Sequence, residues 1–451
     1  MGTLFDDHAP PFAAQKTIRI LVYPNITYAK DLTKDSYVIY LTNAIRQLNR
    51  LRDDLFFYLL MPERLPVLDF PNTQQLILPL PSHAPVMRTH FDVSAVQRLL
   101  PSSIDIDLVW SHLPEQTHAL VATLSNVTHH RPKVFGYAHW FDLPAVTTWD
   151  AGSFRENISG LLHMDRCYLN TNAQKALVLQ EAAQTFVPAI VQQLDRILVA
   201  QPPGVSVADV TSAIDTETDK LIVFNHRPAP YKDYPTFLKI IRQLRLARQD
   251  FHVWIPLLTD VSPEPWIQKE TFADKAGYYA KLRSCRVGFS PKQQYAGWSI
   301  ATTDGLMNGC PYITYDADYY QELDPLAERF QTVEDAVRLL HRYLDDMPHR
   351  NTHAERARQH ALTVLDDTRA MQEMSRYITT LTQTLVPRES PRATELVDLI
   401  RHHGCLTKEQ LMKEHLNWGR GIAFTPYRRA LLADPHIYDT MGPVPNYRWF
   451  E

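Results

Sequence analysis

The chain has 451 residues, a formal net charge of −4 and a pI near 6.5. That length allows two or three domains with substantial cores, and the near-balanced charge excludes a global electrostatic case for nucleic-acid binding, so any basic surface must be local. The polar, acidic N-terminus lacks a signal peptide, no apolar run approaches the roughly 20 residues of a membrane span, and Cys167, Cys285, Cys310 and Cys405 form no metal spacing. The expectation is a soluble cytoplasmic protein with no membrane partner, in which Asn25, Asn126 and Asn157 occur in glycosylation-like triplets by coincidence.

Residues 17–23 (TIRILVY) are a near-continuous apolar run of the kind buried on both faces of a parallel sheet. A polar loop over 24–34 follows, then a helix over 35–52 with Val38, Leu41, Ile45 and Leu48 on one side and Asp35 as its N-cap. Strands are predicted at 55–60, 75–80, 107–110, 133–137 and 166–169, with a helix after Asn172. Strands alternating with helical patterns predict a doubly wound parallel sheet, whose ligands lie beyond the carboxyl ends of the strands. His112, His139 and Asp142 fall at such ends, where histidines also serve as ordinary strand caps.

Residues 197–205 (ILVAQPPGV) read as a strand ending in a Pro-Pro-Gly hinge, after which the pattern restarts. Strands are predicted at 220–225 and 251–257 and helices at 234–248 and 275–283, with a basic loop at 226–233. The stretch 286–315 then reads as strand, loop, helix from about Ser299, and strand at 312–315. Gly297 and Ser299 mark the turn into that helix, whose unpaired N–H groups and partial positive charge suit a phosphate. Asp304, further along, could accept hydrogen bonds from sugar hydroxyls, or simply face solvent. Arg227 and Lys232, five apart at a strand end, could converge on a diphosphate or stand as two solvated cations. The helical pattern over 332–385 would cover this second domain and partly cross back onto the first.

Taken in order, these pieces resemble the large retaining glycosyltransferase family of GT-B fold that uses nucleotide-sugar donors. The family's Arg-x4-Lys is similar to Arg227-Pro-Ala-Pro-Tyr-Lys232, and its interdomain proline-glycine to Pro202-Pro203-Gly204-Val205. Its signature Pro-Ser…Glu-Gly-Phe-Gly-x4-Glu-Ala…Gly-x-Pro resembles Ser290-Pro291…Ala296-Gly297-Trp298-Ser299…Asp304-Gly305…Gly309-Cys310-Pro311. The strand-end histidine beside the donor sugar resembles His139. The resemblance covers roughly residues 16–385 and implies two Rossmann-like domains, at 16–200 and 206–385, with no metal or cofactor beyond a nucleotide-sugar co-substrate, UDP-glucose favoured.

It further implies that Arg227 and Lys232 hold the donor diphosphate with the backbone at Gly297, Trp298 and Ser299. Asp304 would take the ribose hydroxyls, and His139, with Asp142 beside it, the transferred sugar. The departure is Ala296, where the family carries an acidic residue that contacts the sugar; Gln294 or Asp142 could supply part of that contact. Asp105-Ile-Asp107 and Asp316-Ala-Asp318 match the metal motif of the other main glycosyltransferase fold only superficially.

Residues 386–394 read as a linker. Helical patterns at 395–402, 407–414 and 425–433, then an extended aromatic end, are similar to a winged-helix domain over 394–451. Thr407 and Gln410 have capping-box spacing. The third helix would enter a major groove, with Arg420, Arg428 and Arg429 available to phosphates or bases, unless the tail is a helical appendage that packs on the rest or mediates dimerisation. A nucleotide-sugar transferase with such a tail resembles the bacteriophage enzymes that glycosylate hydroxymethylated pyrimidines in DNA. Two alternatives stand beside it: a transferase acting on a small molecule, glycan or protein, and a non-catalytic DNA-binding regulator that senses a nucleotide sugar.

Overall fold

A computed structural model describes residues 17–26, 35–78, 88, 91–100, 106–128, 132–139, 141–143, 151–204, 206, 210, 218–258, 264–272, 274–293, 298–383, 398, 400–402, 405–407, 410, 437–439 and 446–449. The first domain contains β1 (Ile18–Tyr23), α1 (Ser36–Leu51), β2 (Leu55–Met61), β3 (Thr73–Ile77), α2 (Val93–Leu99), β4 (Leu108–Ser111), α3 (Pro114–Thr128), β5 (Lys133–Ala138), α4 (Ala151–Leu161), β6 (Arg166–Leu169), α5 (Asn172–Thr185), α6 (Pro188–Ile197) and β7 (Leu198–Ala200). Its seven strands are parallel in the order β3-β2-β1-β4-β5-β6-β7. The central strands are buried on both faces, which is why β1 reads IRILVY with no polar alternation. Asp35 caps α1, its side chain accepting from the Tyr37 and Val38 N–H groups.

The second domain follows with β8 (Asp219–Val223), α7 (Tyr234–Ala247), β9 (His252–Trp254), β10 (Ile267–Gln268), α8 (Lys275–Ser284), β11 (Cys285–Ser290), α9 (Ile300–Met307), β12 (Tyr312–Tyr315), α10 (Asp318–Leu323), β13 (Glu328–Phe330), α11 (Val333–Asp345) and α12 (Met347–Val364). Six parallel strands run β10-β9-β8-β11-β12-β13. Separate apolar clusters cover the two faces of this sheet, one built with α7 and α11 and the other with α8, α9 and α12.

The chain then recrosses. In α13 (Asp367–Gln383), Met371, Met374, Ile378 and Leu381 join the core of the first domain. The Arg166 guanidinium lies 3.7 Å from the Tyr377 ring centroid, and Arg52 donates to the Ser375 carbonyl at 3.2 Å and to Thr379 Oγ1 at 2.8 Å. At the other crossing Gly204 has φ +69°, and a Cβ there would come within 2.6 Å of Asp367 Cα. Only glycine can hold that turn against the start of α13.

Prolines shorten two of the predicted strands. The run at 251–257 stops as β9 at Trp254 because Pro256 cannot donate to the ladder, and β7 stops at Ala200 before Pro202 and Pro203. The strand expected at 75–80 instead occupies Thr73–Ile77, starting just after the left-handed Asn72.

In the tail, β14 (Cys405–Thr407), β15 (Ile437–Asp439) and β16 (Asn446–Trp449) form an antiparallel sheet with β16 in the middle. β14 occupies what the sequence suggested was a junction between helices. The capping pair is reciprocal: Thr407 N–H donates to Gln410 Oε1 at 2.8 Å, and Gln410 N–H to Thr407 Oγ1 at 3.0 Å. The predicted helix carrying Arg428 and Arg429, and Arg420 ahead of it, lie outside the described residues.

Candidate functional site

The carboxyl ends of β8 and β11 meet α9, and buried polar side chains fix the junction. Asn225, just past β8, donates to the Ala301 carbonyl at 2.7 Å and to Tyr278 Oη at 2.8 Å, and its Oδ1 accepts from Tyr312 at 3.0 Å. Tyr312 can pass beneath α9 because residue 305 is glycine; a Cβ there would sit 2.2 Å from the ring. Ser299 is the N-cap of α9, its hydroxyl accepting from Thr302 N–H at 3.2 Å and lying 3.4 Å from His226 Nδ1. The loop that carries Arg227 is thus pinned to the positive end of a helix, as the sequence suggested for Ser299. Trp298 is buried beside it, while Gly297, Ala296 and Gln294 lie outside the described residues.

Arg227 is exposed; Lys232 follows on a 3₁₀ turn, Pro230–Lys232. Burial and the neighbouring Arg227 lower the Lys232 pKa to about 8. Lys232 Nζ donates to Gln293 Oε1, and buried Gln293 is held in turn, its Nε2 donating to Tyr320 Oη at 2.8 Å and its N–H to Tyr319 Oη at 3.1 Å. A neutral amide fixes the ammonium without cancelling its charge.

Asp304 is buried on α9, and burial raises its pKa to about 6 against the opposing pull of Lys275 and the Tyr279 hydroxyl, which donates at 3.3 Å. It lines a cleft of about 400 Å³, solvent-open space included, with Asn43, Gly204, Lys275 and Asp367. Ile300, beside Ser299, also lines this space and a neighbouring one walled by Tyr37, Tyr40, Tyr137 and His139. His139 and the start of α9 therefore face one cavity from opposite domains.

On the first-domain side, Asn170 holds His139. Tyr137 donates to Asn170 Oδ1 at 2.6 Å, His139 Nδ1 is 3.2 Å from that same oxygen, and Asn170 Nδ2 donates to the His139 carbonyl. Because Oδ1 only accepts, this network assigns the proton to Nδ1 and leaves the lone pair on Nε2. Burial, reinforced by the charge of Lys232, lowers the His139 pKa to about 4, so the ring is neutral at pH 7. The effect of Lys232 on His139, like that of Arg227 on Asp35 at the start of α1, reports cations of one domain facing the other. The site is built to offer positive charge from one wall and a hydrogen-bond acceptor from the other.

Asp142 lies apart from this pair of walls. It is buried and bonded to Arg88, which also binds Glu115 at 2.5 Å, and it accepts from Asn157 Nδ2 at 3.2 Å. Its carboxylate is thus committed to an internal ion cluster. His112 is a core residue among Tyr37, Tyr40, Trp110 and Tyr137, its pKa lowered by burial to about 3. Asp107 accepts from Arg19 N–H at 2.9 Å and Asp316 from Gln331 at 2.7 Å, and among the described residues no group of three or more His, Cys, Asp or Glu could hold a metal ion. No helix among them is long and apolar enough to cross a membrane. Sequence reasoning missed Gln293, Asn225 and the supporting role of Asn170; an amide just beyond a strand end was the one available sign.

Solved structures share this architecture. Sucrose-phosphate synthase from Thermosynechococcus elongatus matches with a TM-score of 0.61 at 10% identity, over 82% of this chain and all of that one. HepE from Anabaena, solved with UDP and glucose, matches at 0.59 and 11% identity, over 80% and 100%. A UDP-forming trehalose-phosphate synthase from Burkholderia xenovorans matches at 0.58 and 12% identity, over 82% and 100%. The chain has the two-domain GT-B fold these proteins share. No family model and no curated sequence matches it.

Proposed function

We propose that this chain is a glycosyltransferase that takes a sugar from a nucleotide-sugar donor of the UDP-glucose type. The observation that carries the reading is the cavity walled by His139 from one domain and by Ile300, the first residue of the capped helix α9, from the other, with Lys232 close enough for its charge to help lower the His139 pKa. Breaking the anomeric C–O bond leaves negative charge on the departing diphosphate. Lys232, held by Gln293, together with Arg227 and a helix dipole would stabilise that charge. Asp304 accepts from the ribose hydroxyls, and His139 Nε2 accepts from a hydroxyl of the transferred sugar. HepE, with its bound UDP and glucose, supports the choice of donor. The outcome at the anomeric carbon is retention, as the resemblance implies, and Asp142, bound in the Arg88–Glu115 cluster, takes no direct part.

For the acceptor we propose the hydroxyl of a hydroxymethylated pyrimidine in DNA. The small antiparallel sheet of the tail, with its C-terminal hairpin and reciprocal capping pair, supports a winged-helix reading and hence a nucleic-acid partner. A paired base would have to leave the duplex to reach the cleft.

The test is to incubate the protein with UDP-glucose and other nucleotide sugars, with and without hydroxymethylpyrimidine DNA, then digest to nucleosides for mass spectrometry. A sugar mass on the modified nucleoside is expected. Donor consumption without DNA labelling would replace the acceptor; DNA binding without any turnover would leave a regulator.

A further inference from the structure

Both walls of the cleft are braced by one short helix. On α10, Tyr319 and Tyr320 hold Gln293, and Gln293 holds Lys232. Tyr320 is itself anchored, donating to the Pro291 carbonyl at 2.8 Å. Two residues further along the same helix, Glu322 reaches into the other domain. Its Oε2 accepts from Asn172 N–H at 2.8 Å and from Asn172 Nδ2 at 3.0 Å, while Oε1 accepts from Ala173 N–H at 2.8 Å.

Those N–H groups are the first of α5, which have no partner within their own helix. Thr171 caps only Gln174. A carboxylate is the group best matched to the remaining donors and to the positive end of the dipole. Helix α5 begins two residues after Asn170, which holds the His139 ring, and Gln174 within α5 donates to the His139 carbonyl at 3.3 Å. The polar chain thus runs from Lys232 through Gln293 and α10 to Glu322, and on through α5 to His139.

We propose that Glu322 is a positioning residue: it latches the two domains together and so sets His139 opposite Lys232. The two chain crossings are covalent and α13 is packed into the first-domain core, whereas Glu322 bonds across the domain boundary. The Glu322 contact forms only when the domains meet, with Ala173 and Leu177 of α5 packing on the second-domain core. It is also half-exposed, so both the carboxylate and the N–H groups can return to water when the domains part. That makes it a reversible fastening, suited to an enzyme that must admit a donor and release a nucleotide. The inference rests on reading His139 and Lys232 as two sides of one transfer site.

The experiment compares the full chain with Glu322→Ala and Glu322→Gln. Spin labels at Val187→Cys and Leu246→Cys, exposed at 64% and 89% in the two domains, report the interdomain distance. Calorimetry gives UDP affinity, and steady-state kinetics give kcat and KM. In Glu322→Ala the distance distribution should broaden to longer values, and kcat should fall about tenfold while the Kd for UDP stays within about threefold. Glu322→Gln, which keeps one accepting oxygen but no charge, should lie between. Wild-type distances and kcat in Glu322→Ala would overturn the latch. Should the wild type neither bind UDP nor transfer sugar, the donor reading fails, and the distance distribution still decides for or against the latch.

Discussion

The two walls of the cleft use opposite materials. The second domain supplies charge: Arg227, a Lys232 that burial makes easier to deprotonate, and a buried Asp304. The first supplies rings and a neutral imidazole whose proton is held on the far nitrogen by Asn170. With the cations on one wall and an uncharged imidazole opposite, a donor diphosphate would complete the electrostatics. Affinity should therefore reside in the second domain, and turnover should need both.

That division can be broken most sharply at the cations. Arg227→Ala or Lys232→Ala should lower kcat/KM by about 10²–10³-fold, the usual cost of removing a fixed donor to developing charge. Unchanged turnover would remove the donor-site assignment. His139→Ala should lower kcat by about ten- to a hundredfold and leave UDP affinity intact, since it touches only the sugar; a parallel loss of UDP binding would erase the distinction between the walls.

A pH titration of UDP affinity sharpens the comparison further. Below about 6 Asp304 is protonated and accepts poorly, and above about 8 free Lys232 loses its charge, so affinity should peak between these values. About a fivefold loss is expected by pH 5 and again by pH 9. Lys232→Arg should remove the alkaline limb, because guanidinium stays charged; Asp304→Asn should remove the acid limb.

The smallest effect lies at the edge of the cleft, at the start of α13. Burial, with Asp366 alongside, raises the Asp367 pKa from 3.8 to about 6, so ionisation disfavours the folded state above the lower value. Asp367→Asn should keep its bond from Gln47, which donates at 3.2 Å. It should raise Tm by about 2 °C at pH 7.5, with the gain shrinking as pH falls from 6 and vanishing below 3.8.

Much of the architecture was legible because the buried strands carry unbroken apolar runs: β6 and β12 fall where the sequence placed them, and α1 begins at its predicted cap. The edge strands β10 and β13, of two and three residues, are too short to leave a pattern. In the candidate site, Arg227, Ser299 and His139 stand at strand and helix ends, the local sign that singled them out, whereas Asp304 sits within α9. Asp142 stood at such an end too, but its fate depended on Arg88, 54 positions away. Gln293 was hidden for the same reason, since its partners Lys232 and Tyr320 come from separate segments. Long-range pairing among polar side chains leaves no local period to read.

The return of α13 has a consequence for how the chain is made. Residues of the second domain form one uninterrupted segment and can finish folding as soon as they leave the ribosome. The first domain, although synthesised first, cannot close its core until Met371, Met374, Ile378 and Leu381 have emerged. Until then the surface of α1 that these residues cover stays open to solvent. The half of the molecule translated earliest is thus the half completed last.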